Sequence, residues 1–216
     1  TYCDFGLFTS KPQIIKDAKT VFSFLMNTNS QLKCEYLLVS PSYMRGDFEK
    51  LIKREIKNAE EGKSAYIHAK FNSLTDKRII NLLYKASEAG VEIHLIVRGA
   101  CCLQPQVKGL SDNIWVISIV DRYLEHARMA IFCNNGNEDM YIMSADWMPR
   151  NLDKRVEVGL PIMDDGIKDT LRDIFDIQWS DNVKARDMNN TYVNRGNGTL
   201  CQSQIVLYDY YRNKNK

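Results

Sequence analysis

The sequence predicts an α/β protein with a mixed β-sheet and helices on both faces. Between residues 34 and 97, three short apolar segments alternate with two amphipathic helical segments, which is the pattern of parallel strands joined by right-handed crossovers. From residue 115 onward, several apolar segments follow one another. Two of these flank the turn-forming run Asn-Asn-Gly-Asn, which predicts an antiparallel hairpin.

The first 33 residues predict a short strand, a helix and a linker. The run FGLFTS has the composition of a strand, and the helix covers residues 12–25. Its apolar positions follow helical spacing: Ile14, Ala18, Val21, Phe22 and Leu25. The run NTNSQLK is rich in turn formers and predicts a linker, so we expect a domain boundary just before CEYLLVS.

The alternating region predicts the strands CEYLLVS, SAYIHAKF and VEIHLIV. A helix over 44–62 joins the first two, and a helix over 76–90 joins the second and third. Asp76 is a typical N-cap residue and Gly90 a typical stop. Beyond residue 114 we predict the strands WVISIV, ARMAIF, DMYIMSA and RVEVGLPIM, a helix over 164–179, and a final helix over 202–211 that docks on the body.

Composition narrows the function classes. Lys and Arg number 29 against 27 Asp and Glu, a net charge of +2 that excludes a protein coated throughout with positive charge but not a local cationic channel. No apolar run approaches the length of a membrane span. The six cysteines include no CxxC pair, which favours a reducing cytoplasm over a disulfide framework or zinc site. The opening TYCDFGLFTS lacks Met and resembles the middle of a longer protein.

One candidate site combines a histidine, a cation and a small polar corner. His126 stands at the start of a predicted strand, and Arg128, two residues on, points to the same face. Ser144, Ala145 and Asp146 close the partner strand. This set suits a phosphate, because the cation binds oxygens while the imidazole attacks phosphorus or moves a proton. Spacing alone leaves open, and slightly favours, a surface histidine beside a strand-edge arginine.

Further cations lie near other strand ends. Arg98 leaves the strand VEIHLIV directly before Gly99, where a flexible backbone beside a guanidinium suits a phosphate contact; a surface-loop arginine is an equal alternative. Several of a second set of cations could converge on one groove that suits a polyanionic substrate, although for any single one a solvated surface charge is favoured. The set is Arg45, Lys70, Arg122, Arg150 and Arg155. His68 and His94 sit inside apolar strands and are interpreted as core or edge residues. No carboxylate cluster has metal-site spacing, although Mg²⁺ brought by a nucleotide remains open.

Long stretches of the sequence resemble one family. SDNIWVISIVDRYLEHARMAIF, SADWMPRNLDKRVEV and LIVRGACCL strongly resemble the C-terminal part of bacterial polyphosphate kinase, the large type within the phospholipase-D superfamily. The resemblance also takes in TYCDFGLFTS, SPSYMR, KFNSLTDK, VKAR and LYDYY, and so covers essentially the whole chain. It implies a phospholipase-D-like α/β fold. Residues 1–35 would be the tail of the first such domain and residues 36–216 the second.

The resemblance implies an ATP:polyphosphate phosphotransferase. The family reversibly transfers the terminal phosphate of ATP to inorganic polyphosphate through a phosphohistidine. That histidine and the magnesium-binding arginines would lie before this chain, so the fragment alone is expected to be inactive. The implied partners are ATP, ADP and polyphosphate, with Mg²⁺ as cofactor, a homo-oligomer and no nucleic acid. The implied location is the cytoplasm, with room for peripheral membrane association of the complete enzyme.

Residue roles also follow from the resemblance. Tyr2 matches the family tyrosine that contacts adenine, Arg98 an arginine that binds nucleotide phosphates, and His126 the second histidine that faces the phosphohistidine. A lower tier of matching positions is expected to contact phosphate or polyphosphate: Arg45, Lys70, Asn72, Arg122, Asp146, Arg150 and Asn151.

The sequence departs from the wider superfamily in two places. It has a single His-x-Arg where phospholipases have His-x-Lys twice, and its corner is Ser-Ala-Asp rather than Gly-Ser-x-Asn. This weakens the alternative of a phosphodiesterase or nuclease half-site assembled by dimerisation. A non-catalytic polyanion-binding module is the third interpretation.

Overall fold

A seven-stranded mixed sheet forms the centre of the protein. The computed structural model describes residues 2–196 and 198–214. The strands are β1 Tyr2–Cys3, β2 Leu38–Ser40, β3 Tyr66–Phe71, β4 Glu92–Val97, β5 Ile114–Ile117, β6 Leu124–Glu125, β7 Met129–Phe132, β8 Asp139–Met143 and β9 Glu157–Pro161. The helices are α1 Pro12–Met26, α2 Met44–Glu60, α3 Lys77–Glu88, α4 Pro149–Asp153, α5 Asp165–Trp179 and α6 Ser203–Lys214. The predicted α/β class is confirmed.

The strand order of the large sheet is β2-β9-β8-β7-β3-β4-β5. Within this sheet, strands β3, β4 and β5 pair in parallel, and the other neighbouring strands pair antiparallel. Alternation of strands and helices predicts that β2 lies beside β3, but β7, β8 and β9 separate the two. Alternation fixes the direction of a strand but not its neighbour: β2 runs the same way as β3, yet pairs with β9 at the sheet edge.

Local chemistry accounts for the helix bounds. Asp76 caps α3 by accepting a hydrogen bond from the Ile79 N–H at 3.0 Å, and Asp164 caps α5 in the same way from the Ile167 N–H. Pro12 stands in the first turn of α1, where its missing N–H leaves no bond unmade. These predicted helices are therefore confirmed to within a few residues.

Two apolar layers cover the two sheet faces. Helices α2 and α3 pack on one face around Phe48, Phe71 and Trp147. The Trp147 ring centroid lies 5.4 Å from that of Phe48 and 4.3 Å from that of Phe71. Helix α5 covers the other face through Leu171, Ile174 and Phe175, and α6 packs against α5 with Leu207 against the same apolar cluster. Placing helices on both faces confirms that part of the prediction. Within the described ranges, no helix combines the length and apolar character that crossing a membrane requires.

Two local expectations are wrong in detail, and a third is confirmed. FGLFTS is not a strand, because strand pairing stops at Cys3; Phe5 and Leu7 instead pack against the α5-side core. In α1, Ile14 and Val21 are buried, whereas Phe22 and Leu25 of the same predicted stripe are more than half exposed. The hairpin between β7 and β8 is confirmed, and its turn takes left-handed backbone conformations that asparagine and glycine tolerate, at residues 134–136.

His68 makes the stability of this fold sensitive to acid. Burial, reinforced by the nearby His94 charge, lowers the pKa of His68 from 6.5 to about 4. The unfolded chain therefore takes up a proton near pH 6.5 that the folded chain accepts only near pH 4. We expect the free energy of unfolding to fall by about 3 kcal/mol from this group as pH drops from 7 to 4, measured by urea denaturation.

The control is His68→Phe, which keeps an aromatic ring stacked on Phe175, 5.0 Å away, and removes the titration. This variant should lose less stability across the same pH range than the parent protein. An identical loss in both proteins would contradict the assignment to His68.

Candidate functional site

Polar and charged side chains collect at one edge of the large sheet. Strands β3, β4 and β8 end at this edge, and β7 and β9 begin there, as their pairing directions require. The residues that follow the ending strands or precede β7 are Asn72, Arg98, His126, Arg128, Ser144 and Asp146. Loops at strand ends commonly carry ligand groups in α/β proteins, so this edge is the candidate site.

His126 is held by the start of the chain. Its Nδ1 lies 2.8 Å from Asp4 Oδ2, and its backbone N–H donates to the Cys3 carbonyl at 3.0 Å. The Tyr2 ring packs edge-on against the imidazole at a centroid distance of 5.0 Å. With Asp4 accepting from Nδ1–H, Nε2 is the nitrogen left to meet a ligand, with the Arg128 Nη1 3.3 Å away from it, and one third of the side chain is exposed.

Asp4 is ionised at neutral pH in this arrangement. Partial burial by itself raises the pKa of the Asp4 carboxyl, but hydrogen bonds from His126 and the Phe5 N–H, together with the Arg128 charge, lower it below its ordinary value. A fixed carboxylate behind an imidazole sets its tautomer and orientation. Asp4 is therefore a positioning residue for His126.

Arg128 ties His126 to the partner strand. Its Nη1 donates to the His126 carbonyl at 3.0 Å and lies 3.3 Å from both ring nitrogens. Its Nε donates to Asp146 Oδ1 at 3.1 Å, and the same oxygen accepts from the Asn72 N–H at 2.8 Å. Asp146 thus joins the ends of β3 and β8 to the start of β7, which fixes the site's geometry.

Arg98 reaches the same segment from β4. Its Nε donates to Asn72 Oδ1 at 2.9 Å and to the Glu125 carbonyl at 3.1 Å, while Asn72 Nδ2 donates to the His126 carbonyl. Among the described residues, the two terminal nitrogens of Arg98 have no hydrogen-bond partner. The sequence prediction that Arg98 and His126 share one location is consistent with these contacts.

Gly99 has a different purpose from the one that its sequence context indicates. A Cβ at this position would lie 2.8 Å from the Asn72 carbonyl oxygen, which also accepts the Gly99 N–H. The glycine therefore permits a close backbone approach between the β3 and β4 ends rather than supplying flexibility. This approach places Arg98 beside Asn72.

A cleft of about 550 Å³ opens beside His126. Its cationic wall carries His126, Arg128, Arg150 and Arg155. The carboxylates in the cleft already have donors: Asp4 and Asp146 as described, and Glu157 from the Ser144 hydroxyl and the Asn151 amide. Arg150 and Arg155 form no ion pair within residues 2–196 and 198–214, so their guanidinium groups are available to an anion.

Glu125 organises the side of the site opposite the cleft. The Lys70 Nζ donates to Glu125 Oε2 at 2.6 Å, and Gln178 Nε2 donates to the same oxygen at 2.8 Å. From α6, Gln204 Nε2 donates to Glu125 Oε1 at 2.7 Å and to the Tyr123 carbonyl at 2.9 Å. The residue directly before His126 is thus held by three separate elements.

Other predicted site residues lie apart from the cleft. The Arg45 guanidinium donates to the carboxylates of Asp76 and Asp153 at 2.6–2.7 Å, in a network that joins α2 to α3 and α4. Lys70 is buried in its pair with Glu125. Arg122 lies on the loop before β6, with its guanidinium 5.4 Å from the Tyr123 ring centroid. The structure brings together Tyr2, Asn72, Arg98, His126, Asp146, Arg150 and Asn151 at or beside one edge.

Sequence reasoning missed Asp4 and Glu125. Asp4 is separated from His126 by 122 positions, and no spacing pattern connects them. The signal is three-dimensional: β1 pairs with β6 in the register Tyr2–Leu124 and Cys3–Glu125. Glu125 precedes the histidine directly, but only the burial of its carboxylate reveals its role.

Comparison with known proteins gives consistent matches. The family profile described as polyphosphate kinase C-terminal domain 2 matches residues 37–204. Polyphosphate kinase of Vibrio cholerae is 47% identical over 219 residues, covering all of this chain and 31% of that protein. The Escherichia coli K12 enzyme is 44% identical over 215 residues, covering 98% of this chain and 31% of its own length.

A solved structure agrees with these matches. The crystal structure of polyphosphate kinase from Porphyromonas gingivalis superposes with a TM-score of 0.91 at 41% identity. The superposition covers 95% of this chain and 32% of that one. The chain therefore spans about a third of the length of the relatives that it matches.

Proposed function

Because the chain belongs to the polyphosphate kinase family, we propose that it is part of a longer protein, the complete polypeptide, which reversibly transfers the terminal phosphate of ATP to inorganic polyphosphate. In this proposal the chain supplies one wall of the phosphate site, and a histidine outside this sequence accepts the phosphoryl group. The observation that carries the proposal is the His126 ring, held between Asp4 and Arg128 at the wall of a cleft that also carries the guanidinium groups of Arg150 and Arg155, unpaired in the described part of the chain.

The chemistry divides between the accepting histidine and this chain. In the first step, a nitrogen of the accepting histidine bonds to the terminal phosphorus while the bond from that phosphorus to the bridging oxygen breaks, which releases ADP. In the second, a terminal oxygen of polyphosphate attacks the phosphorus and the N–P bond breaks. With Nδ1–H bonded to Asp4, His126 donates a hydrogen bond from Nε2 to the phosphoryl oxygens when the ring is doubly protonated, and the free nitrogens of Arg98 neutralise the charge on that group.

Tyr2 and the cleft arginines complete the proposed ligand contacts. The Tyr2 ring is 65% exposed beside His126, so its open face is available to an adenine ring. Arg150 and Arg155 line the cleft without ion-pair partners among the described residues, which suits the phosphates of a polyphosphate chain. Asn72, Asp146 and Asn151 position their neighbours through hydrogen bonds. Arg45 and Lys70, each paired with carboxylates, support the fold around the site.

Magnesium does not fit the cleft residues of this chain as a ligand set. Mg²⁺ prefers carboxylate and phosphate oxygens, and the cleft carboxylates Asp4, Asp146 and Glu157 already accept hydrogen bonds or ion pairs. We therefore propose that Mg²⁺ arrives with ATP and that its protein ligands lie outside this sequence. None of the roles proposed for the residues of this chain requires them to bind Mg²⁺.

The wider organisation is also proposed. Residues 1–35 would close a preceding phospholipase-D-like domain and residues 36–216 would form a second one. The start of the family match at residue 37 supports this boundary. We infer a homo-oligomeric enzyme in the cytoplasm, where ATP is supplied.

The test is to locate the phosphoryl group on the enzyme. The complete polypeptide is incubated with ATP labelled on its terminal phosphate, and labelled peptides are sequenced by mass spectrometry at alkaline pH, where phosphohistidine survives. We expect label on a histidine upstream of residue 1 and polyphosphate among the products. His68, His94 and His126 should carry none.

Two other results would change the proposal. Label on His126 with polyphosphate formed would keep the kinase activity and overturn the assignment of the nucleophile. No polyphosphate, together with hydrolysis of a bis-aryl phosphodiester, would replace the kinase by the phosphodiesterase alternative.

A further inference from the structure

Two histidines face each other on the sheet surface beneath α5. His68 on β3 and His94 on β4 are register partners, and their rings stack at 4.9 Å with planes 7° apart. Glu92 precedes His94 by two positions and therefore lies on the same face of β4. Arg98 is four residues beyond His94, about 13 Å along the strand, so this cluster is separate from the cleft.

The ligand atoms of these three side chains converge. His68 Nε2 lies 3.9 Å and His94 Nε2 lies 3.7 Å from Glu92 Oε1, and the three atoms all lie within 4.8 Å of one another. These distances are too long for hydrogen bonds. They are close to the spacing of about 3.4 Å that three ligands adopt around a tetrahedral ion at 2.0–2.1 Å.

His68 Nε2 is the unexplained atom in this cluster. It is buried and has no hydrogen-bond partner among the described residues. A buried polar atom without a partner is destabilising, and a bound ion would satisfy it. Stacking on Phe175 and Trp179 accounts for where the two rings lie, but not for the unpaired nitrogen.

The charge state of the cluster suits a cation. Burial lowers the pKa of both His68 and His94, so both imidazoles are neutral near pH 7 and their lone pairs are available. Glu92 adds a negative charge, and its side chain is 56% exposed, which gives an ion a route from solvent. Glu138 is the other acidic group whose charge acts on His68.

We propose that His68, Glu92 and His94 bind a divalent transition-metal ion of the Zn²⁺ type. The two Nε2 atoms and a Glu92 oxygen are the protein ligands, and water takes the fourth position. Two imidazoles and one carboxylate are a recognised zinc ligand set, whereas Mg²⁺ prefers oxygen ligands alone. The ion would join β3 to β4 beneath α5. This proposal does not depend on the proposed function.

The experiment measures metal binding by the complete polypeptide after treatment with a chelator. Equilibrium dialysis against Zn²⁺ gives the stoichiometry, and Co²⁺ serves as a spectroscopic probe because its visible bands report tetrahedral coordination. Glu92→Gln removes one ligand at an exposed position. Glu88→Gln is the matched control, since it removes the same charge from an exposed carboxylate four residues earlier, outside the cluster. His94→Phe removes a second ligand and keeps the ring stack.

The expected result is one bound Zn²⁺ that excess Mg²⁺ does not displace. Glu92→Gln and His94→Phe should each weaken that binding by about 100-fold or more, since even outer-shell partners contribute 10–100-fold. Glu88→Gln should bind like the parent protein. Equal binding in all four proteins would overturn the proposal. So would Co²⁺ spectra dominated by thiolate charge transfer, or binding lost in His126→Gln and kept in His94→Phe.

Discussion

We expect His126→Ala to lower the rate of polyphosphate synthesis by the complete polypeptide by about 100-fold or more, the usual effect of removing one transition-state contact. The reason lies in the geometry: Asp4 holds Nδ1, which leaves Nε2 as the ring atom that meets the phosphoryl group in the proposed site. The measurement is the initial rate of polyphosphate formation from ATP, with a thermal melt of each variant to check its fold.

Two further variants separate the roles of the ring. His126→Gln keeps a hydrogen-bonding side chain near Asp4 but cannot take up a proton, so it should remain strongly impaired. Asp4→Asn keeps the imidazole and removes only the carboxylate, so its loss should be smaller and its pH–rate profile should shift. Parent-like activity in His126→Ala would remove this residue from the site.

Arg98→Ala should also reduce synthesis by about 100-fold, because the free guanidinium nitrogens are proposed to neutralise the transferring phosphoryl group. A transition-state contact lowers kcat, whereas a contact to the resting nucleotide alone raises KM. We therefore expect the main loss in kcat when initial rates are measured across ATP concentrations.

Controls are needed because the Arg98 Nε also holds Asn72 and the Glu125 carbonyl. Arg98→Lys retains the charge but not the two-point geometry, and should recover part of the rate. Arg78→Ala removes an arginine that is 67% exposed on α3 and should leave the rate unchanged. If Arg98→Ala and Arg78→Ala retained the same activity, the phosphate role of Arg98 would be refuted.

The sequence predicts local structure here better than it predicts neighbours in space. Capping by Asp76 and Asp164 and the apolar periodicity of α2, α3 and α5 act over a few residues, so these helices could be located without coordinates. The position of β2 depends on long-range pairing, because β7, β8 and β9 lie between it and β3 in the sheet, and local sequence patterns do not report such pairing.

The candidate site shows the same division. His126 and Arg98 could be nominated because ligand groups commonly lie at strand ends, but spacing alone leaves structural roles open for both, and their assignment comes from the family resemblance. The ion pairs of Arg45 with Asp76 and of Lys70 with Glu125 could not be predicted, because a paired and an unpaired cation look the same in sequence. His68 and His94 were interpreted as core or edge residues, and only the register of β3 and β4 shows that they face each other.

The contacts that hold the His126 segment have a consequence for the order in which the protein folds. Leu124 and Glu125 pair with Tyr2 and Cys3 of β1. Gln204 of α6 donates hydrogen bonds to the Tyr123 carbonyl and the Glu125 carboxylate. During synthesis on the ribosome, the histidine emerges about 80 residues before that glutamine. A nascent chain therefore carries His126 before the contacts of α6 to Tyr123 and Glu125 can form, and this segment reaches its final arrangement only when α6 docks.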